Sequence, residues 1–136
     1  MERRDLIQWL FATLASDELM ALGRDVHRRA TPFVDPTLAA VAERILPGAA
    51  QAGVPAFIEK MLADWHTPEE RAGILAGLRD LKDLSLLESI DQANPEWFAR
   101  LKYLTVYGYC TSEIGMRELE LWPQPWRYDG CAPVSD

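Results

Sequence analysis

Tyr109-Cys110-Thr111-Ser112-Glu113 places a phenol, a thiol, two hydroxyls and a carboxylate on five consecutive residues, next to Gly108 and Gly115. Such groups could serve a nucleophile and its acid or base, provided a base is brought beside them. The chain offers two histidines for that role, His27 and His66, which lie 39 residues apart without a shared acidic pattern. His27 sits in the basic stretch from Arg24 to Arg29 and reads as a surface residue. His66 reads as the end of a helix, where an imidazolium would complement the helix dipole. There is no GxGxxG, phosphate-binding P-loop, GxSxG elbow, HExxH or Glu-x-x-His pair. The acidic pairs Glu69-Glu70 and Glu118/Glu120 fall at helix starts and solvated faces. A self-contained active site is therefore not expected, and no catalytic, cofactor or metal ligands are assigned. The Tyr-Cys-Thr-Ser-Glu run reads instead as the hinge of a docking element.

The elements that must position this run are helical. At 136 residues, 49% hydrophobic and 26% charged, the chain can bury one core without disulfides or metal. A net charge of −7 opposes a phosphate-binding surface, so nucleic acid is not an expected partner. Cys110 and Cys131 are the only cysteines, and their spacing does not decide whether they pair. No apolar run approaches the ~20 residues that span a bilayer.

Residues 1–30 read as N-terminal helices. Arg3-Arg4 followed by an apolar stretch resembles a twin-arginine export signal in part, but the run from Leu6 to Ala15 is short and holds Gln8. The alternative, which is preferred, is an amphipathic helix with Leu6, Leu10 and Leu14 inward. Ser16 can cap a second helix carrying Leu19, Leu22 and Val26.

Residues 35–119 read as a helical core. Asp35-Pro36 starts a helix with Leu38, Val41, Ala42, Ile45 and Leu46 on one stripe. Pro55 opens the next, whose apolar stripe runs to Met61, Leu62 and Trp65, all expected in the core. Thr67-Pro68-Glu69-Glu70 is a capping box. Ser85-Leu86-Leu87-Glu88 repeats that pattern, and Asn94-Pro95 starts the next helix. That helix is apolar on two sides, with Trp97, Leu101, Leu104 and Gly108 on one line and Tyr103, Tyr107, Cys110 and Ile114 on another. It is expected at the centre, with Gly108 marking a close approach or a break. Thr111-Ser112-Glu113 can then re-cap the chain into a short last helix.

Residues 120–136 read as an extended tail, because Pro123, Pro125 and Pro133 exclude helix. The tail can fold back over its own domain or, the preferred reading, lie in a partner's groove with Trp122, Trp126 and Tyr128 as anchors. The fold class is all-α: one domain of about six helices with a proline- and tryptophan-rich tail.

The run LTVYGYCTSEIGMRELELWPQPWRYDGCAP resembles the C-terminal signature of the gluconate 2-dehydrogenase subunit 3 family. The matching positions are Gly108-Tyr109, Thr111 to Gly115, Glu118-Leu119, Pro123, Pro125, Tyr128 and Gly130-Cys131. AERILPGAAQAGVPAFIEKMLADWHTPEER resembles a second block of that family. The resemblance implies an accessory subunit without a cofactor of its own. Its partner would be a large subunit of the glucose–methanol–choline (GMC) oxidoreductase type that binds FAD and oxidises a sugar, sugar acid or polyol. In some such complexes a cytochrome c subunit accepts the electrons. It also implies a periplasmic complex where the leader works as an export signal, and a cytoplasmic one otherwise. Tyr109, Glu113, Trp122, Trp126, Tyr128 and Cys131 are the expected interface or tail-organising residues. Cys131 is a candidate for a disulfide to the partner in an oxidising compartment. Two rival readings are a free-standing enzyme and a peripheral membrane module anchored by Trp9 and Phe11.

Overall fold

The computed structural model describes residues 17–31 and 35–119. The expected first helix, Ser16, Trp9, Phe11 and the tail from 120 onward lie outside the described residues. Among the described residues the fold is all-α. We number the α-helices α1 (Asp17–Arg29), α2 (Pro36–Ile45), α3 (Val54–Asp64), α4 (Pro68–Asp80), α5 (Leu87–Ala93), α6 (Glu96–Thr111) and α7 (Glu113–Glu118). A single 3₁₀ turn, Leu84–Leu86, precedes α5.

Helix α6 is the axis of the molecule, and each of the other six described α-helices packs against it. Every residue from Leu104 to Thr111 is buried, as expected for a helix that is apolar on both sides. Its two buried threonines are satisfied within the helix: Thr105 Oγ1 donates to Leu101 O (2.7 Å) and Thr111 Oγ1 to Tyr107 O (2.8 Å). Around it lies one apolar cluster that includes Val26 of α1, Leu38, Val41 and Ala42 of α2, Phe57 and Ile58 of α3, and Ile74 and Leu78 of α4.

Local signals explain most of the helix starts. The Asp35 side chain accepts from Thr37 N at 2.8 Å and caps α2. Glu43 then holds the turn after α2, its two carboxylate oxygens accepting from Gly48 N (2.8 Å) and Ala50 N (2.9 Å). The Thr67–Glu70 capping box forms in both directions.

Four expectations are corrected. Trp65 is 60% exposed rather than in the core, because α3 ends at Asp64 and Trp65 is its C-cap, with φ −122° and ψ −3°. The turn before α5 is capped by Asp83, whose carboxylate accepts from Ser85 N, and not by Ser85. Asn94 does not cap α6. It closes α5 in the left-handed conformation (φ 47°), and Pro95 stands at the N-cap of α6. His27 is not a free surface residue: it is half-buried against α3 and α6.

Candidate docking site at the C-terminal elbow

The chain turns sharply between α6 and α7, and the turn is built from the Tyr-Cys-Thr-Ser-Glu run. Ser112 leaves the helical conformation (φ −75°, ψ 158°) and serves both as C-cap of α6 and N-cap of α7. Its hydroxyl donates to Tyr109 O at 2.6 Å and accepts from Gly115 N at 3.0 Å. One side chain thus satisfies a carbonyl at the end of one helix and an amide at the start of the next. Gly115 is required here by space. A Cβ at this position would lie 1.8 Å from Tyr109 O, a backbone atom that cannot move aside.

The far end of α7 is tied back as well. The Tyr109 ring is fully buried, and its hydroxyl donates to a Glu118 carboxylate oxygen across the elbow. Helix α7 is thereby fixed at Ser112 and at Glu118, which sets the direction in which the chain leaves at Leu119. The side chain of Leu119 packs partly against the core.

The remaining members of the run divide between core and surface. Cys110 is a free, buried thiol whose pKa is pushed up to about 11, first by burial and then by the nearby Glu118 carboxylate. It is protonated at neutral pH, which makes it a poor nucleophile. Thr111 meets α1 where Gly23 leaves room for it. Glu113 is exposed in the first turn of α7, where a carboxylate suits the helix dipole, and it pairs with Arg117 at 2.6 Å. That pair is open to water on both sides and adds little stability.

Helix α1 closes over the elbow through two long-range hydrogen bonds. The Tyr107 hydroxyl donates to Leu19 O at 2.5 Å. His27 Nε2 lies 2.6 Å from Gly108 O, 81 residues away in sequence, and a carbonyl can only accept, so Nε2 carries the proton. That carbonyl is also reached by the Thr111 hydroxyl, at 3.4 Å. Ser112 N turns to Tyr109 O (3.2 Å) instead of continuing the helix ladder, which leaves Gly108 O at the end of α6 without its usual amide. The His27 ring also lies against Phe57, with centroids 4.7 Å apart, and Phe57 meets Tyr107 edge-on at 5.3 Å. Gly108 marks a close approach rather than a break, since its α-carbon faces the Phe57 ring.

Two surface grooves flank His27 and share Glu113 as a wall. One, of about 580 Å³, is lined by Ala21, Arg24, Arg28, Thr111 and Met116. The other, of about 420 Å³, is lined by Ala30, Gln51, Gly53, Ala56 and Ile114. Among the described residues, no three His, Cys, Asp or Glu side chains gather into a metal-binding group, and no helix is long and apolar enough to cross a membrane.

Of the residues singled out from the sequence, Tyr109 and Glu113 are placed on one elbow, the first in its interior and the second at its surface. Trp122, Trp126, Tyr128 and Cys131 lie outside the described residues. Sequence reasoning missed His27, Phe57 and Glu118 as parts of the elbow. His27 lies one helical turn after Gly23, beside the Leu19, Leu22, Val26 stripe, and that spacing was the available signal. The Glu118 link had none, because it depends on the angle between two helices.

Residues 35–89 match the family model described as Gluconate 2-dehydrogenase subunit 3. The matched stretch runs from the cap of α2 into α5 and contains the block from Ala42 to Arg71 that resembles this family, while the elbow lies beyond it. No curated protein and no solved structure was found to match the chain. The family recognised from the sequence is thus the one that the helices between Asp35 and Ser89 match: gluconate 2-dehydrogenase subunit 3.

Proposed function

We propose that this chain is a non-catalytic small subunit that binds and stabilises a flavin-dependent dehydrogenase of the GMC oxidoreductase type. The observation that carries the reading is the family match over residues 35–89. In this reading FAD and the substrate pocket belong to the large subunit, which oxidises a sugar, sugar acid or polyol and passes electrons to a cytochrome c subunit in some complexes. The elbow supports the reading by giving the chain beyond Leu119 a fixed point of departure. Tyr109 and Ser112 organise that departure, Glu113 faces the partner, and Trp122, Trp126 and Tyr128 anchor in it, with Cys131 at the rim. Where Arg3-Arg4 acts as an export signal, the large subunit would travel as a folded passenger.

The test is co-expression with the dehydrogenase identified from the adjacent open reading frame. The expected result is a severalfold higher yield of soluble, FAD-loaded and active large subunit when this chain is present. Equal yield and activity without it would remove the accessory role.

A further inference from the structure

We infer that His27 is a latch, released by acid, that holds α1 against the α6–α7 elbow. The inference rests on its geometry and is independent of the identity of any partner. In the neutral ring the single Nε2 proton goes to Gly108 O, which the Thr111 hydroxyl reaches only at 3.4 Å, and the ring face lies on Phe57. Beside it, the Tyr107 hydroxyl donates to Leu19 O, and Gly23 packs closely against Thr111.

A second proton would place a cation in this half-buried site. Arg24 and Arg28 of α1 line the adjoining groove, the latter paired with Asp25, and Glu113 of α7, paired with Arg117, is the anion on its other wall. The wall formed by Gln51, Ala52, Gly53 and Ala56 contributes no titratable group. The Tyr107 phenol on α6, pushed up to about 12 by burial, stays uncharged over the relevant range. The Gly108 carbonyl favours the imidazolium, but burial outweighs it and holds the ring below its ordinary value of 6.5.

Docked His27 takes up a proton less readily than the same residue on a released, solvated α1. By linkage, docking is therefore at full strength above pH 6.5, weakens as the pH falls through that value, and levels off below the docked value. Acid would thus free α1 and open the two grooves into one face around Phe57 and the elbow.

The test uses hydrogen exchange of the full chain at pH 7.5 and pH 5, corrected for intrinsic exchange rates. The expected result is a severalfold loss of protection in α1 at pH 5, with α6 unchanged. In H27Q the amide can still donate to Gly108 O but cannot ionise, and the difference between the two pH values should vanish in α1. An equal response in both proteins, or none in the wild type, overturns the latch. If H27Q does not fold, the wild-type ring is titrated by NMR. A midpoint below 6.5 that coincides with shifts in α1 amides supports the latch. A midpoint at or above 6.5, or α1 amides that do not track it, overturns it.

Discussion

Phe57→Ala is expected to cost about 4 kcal/mol of folding stability, in the range found when a buried aromatic ring is emptied. The ring is fully buried and stands where three helices meet. It packs on His27 of α1, meets Tyr107 of α6 edge-on and fills the space above Gly108. A domain of this size has a total stability of about 5–15 kcal/mol, so the variant should be marginal or unfolded at 37 °C. Urea unfolding at 10 °C is the measurement. The cavity should also change the response to a second substitution. In the wild type, Gly108→Ala drives a Cβ to 2.7 Å from Phe57 Cδ1. With the ring gone that contact disappears, so the double variant should lose less than the sum of the two single losses. Strict additivity would mean that the ring and the glycine do not meet.

Gly115→Ala should be nearly as damaging, at about 3 kcal/mol, the upper end for added atoms in a packed site. The new methyl group meets Tyr109 O, and that carbonyl already accepts from Ser112 N and the Ser112 hydroxyl. Relief requires α7 to swing away, which breaks the Ser112 cap and the Tyr109–Glu118 bond together. A fall in melting temperature of about 10 °C is expected for a chain of this length. Gly73→Ala is the matched control. A Cβ there meets nothing within 4 Å, on an exposed turn of α4. It should gain up to about 1 kcal/mol from helix propensity alone. The two alanine variants therefore separate steric need from propensity. A Gly115→Ala protein as stable as the wild type would show that the elbow can relax, and the account of a fixed departure at Leu119 would lose its basis.

The legible parts of this fold were the ones written in local chemistry. Asp35-Pro36 and Thr67-Pro68-Glu69-Glu70 gave α2 and α4 their starts, because a cap is satisfied within one turn of its own helix. The two-sided apolar pattern placed α6 at the centre, since no other position buries both faces. Trp65 went wrong because an apolar stripe extrapolates smoothly past a helix end, whereas the chain turns at Asp64. Asn94 was assigned to the wrong helix because the same residue type caps a start by its side chain and an end by its left-handed backbone.

The elbow was half legible. Ser112 as a cap and Glu113 in a first turn are implied by spacing, and the structure places both. His27 could not be ranked as a contact from its sequence neighbours, because the carbonyl it serves lies 81 residues away. Its arginine-rich surroundings pointed outward, whereas the ring turns inward beside Gly23. Tyr109 also lies inward. It was singled out as an interface or tail-organising residue, and its full burial and bond to Glu118 make it a support of the elbow from within.

Whether this chain grips a dehydrogenase through the residues beyond Leu119 is tested most directly by co-purification. The large subunit, identified from the adjacent open reading frame, is purified with the full chain and with a chain ending at Leu119. Both forms are first checked for the same helical content and thermal unfolding. The full chain is expected to elute with the large subunit in a stable complex, and the shortened chain to elute alone. A shortened chain that retains the large subunit as well as the full chain does would contradict the account.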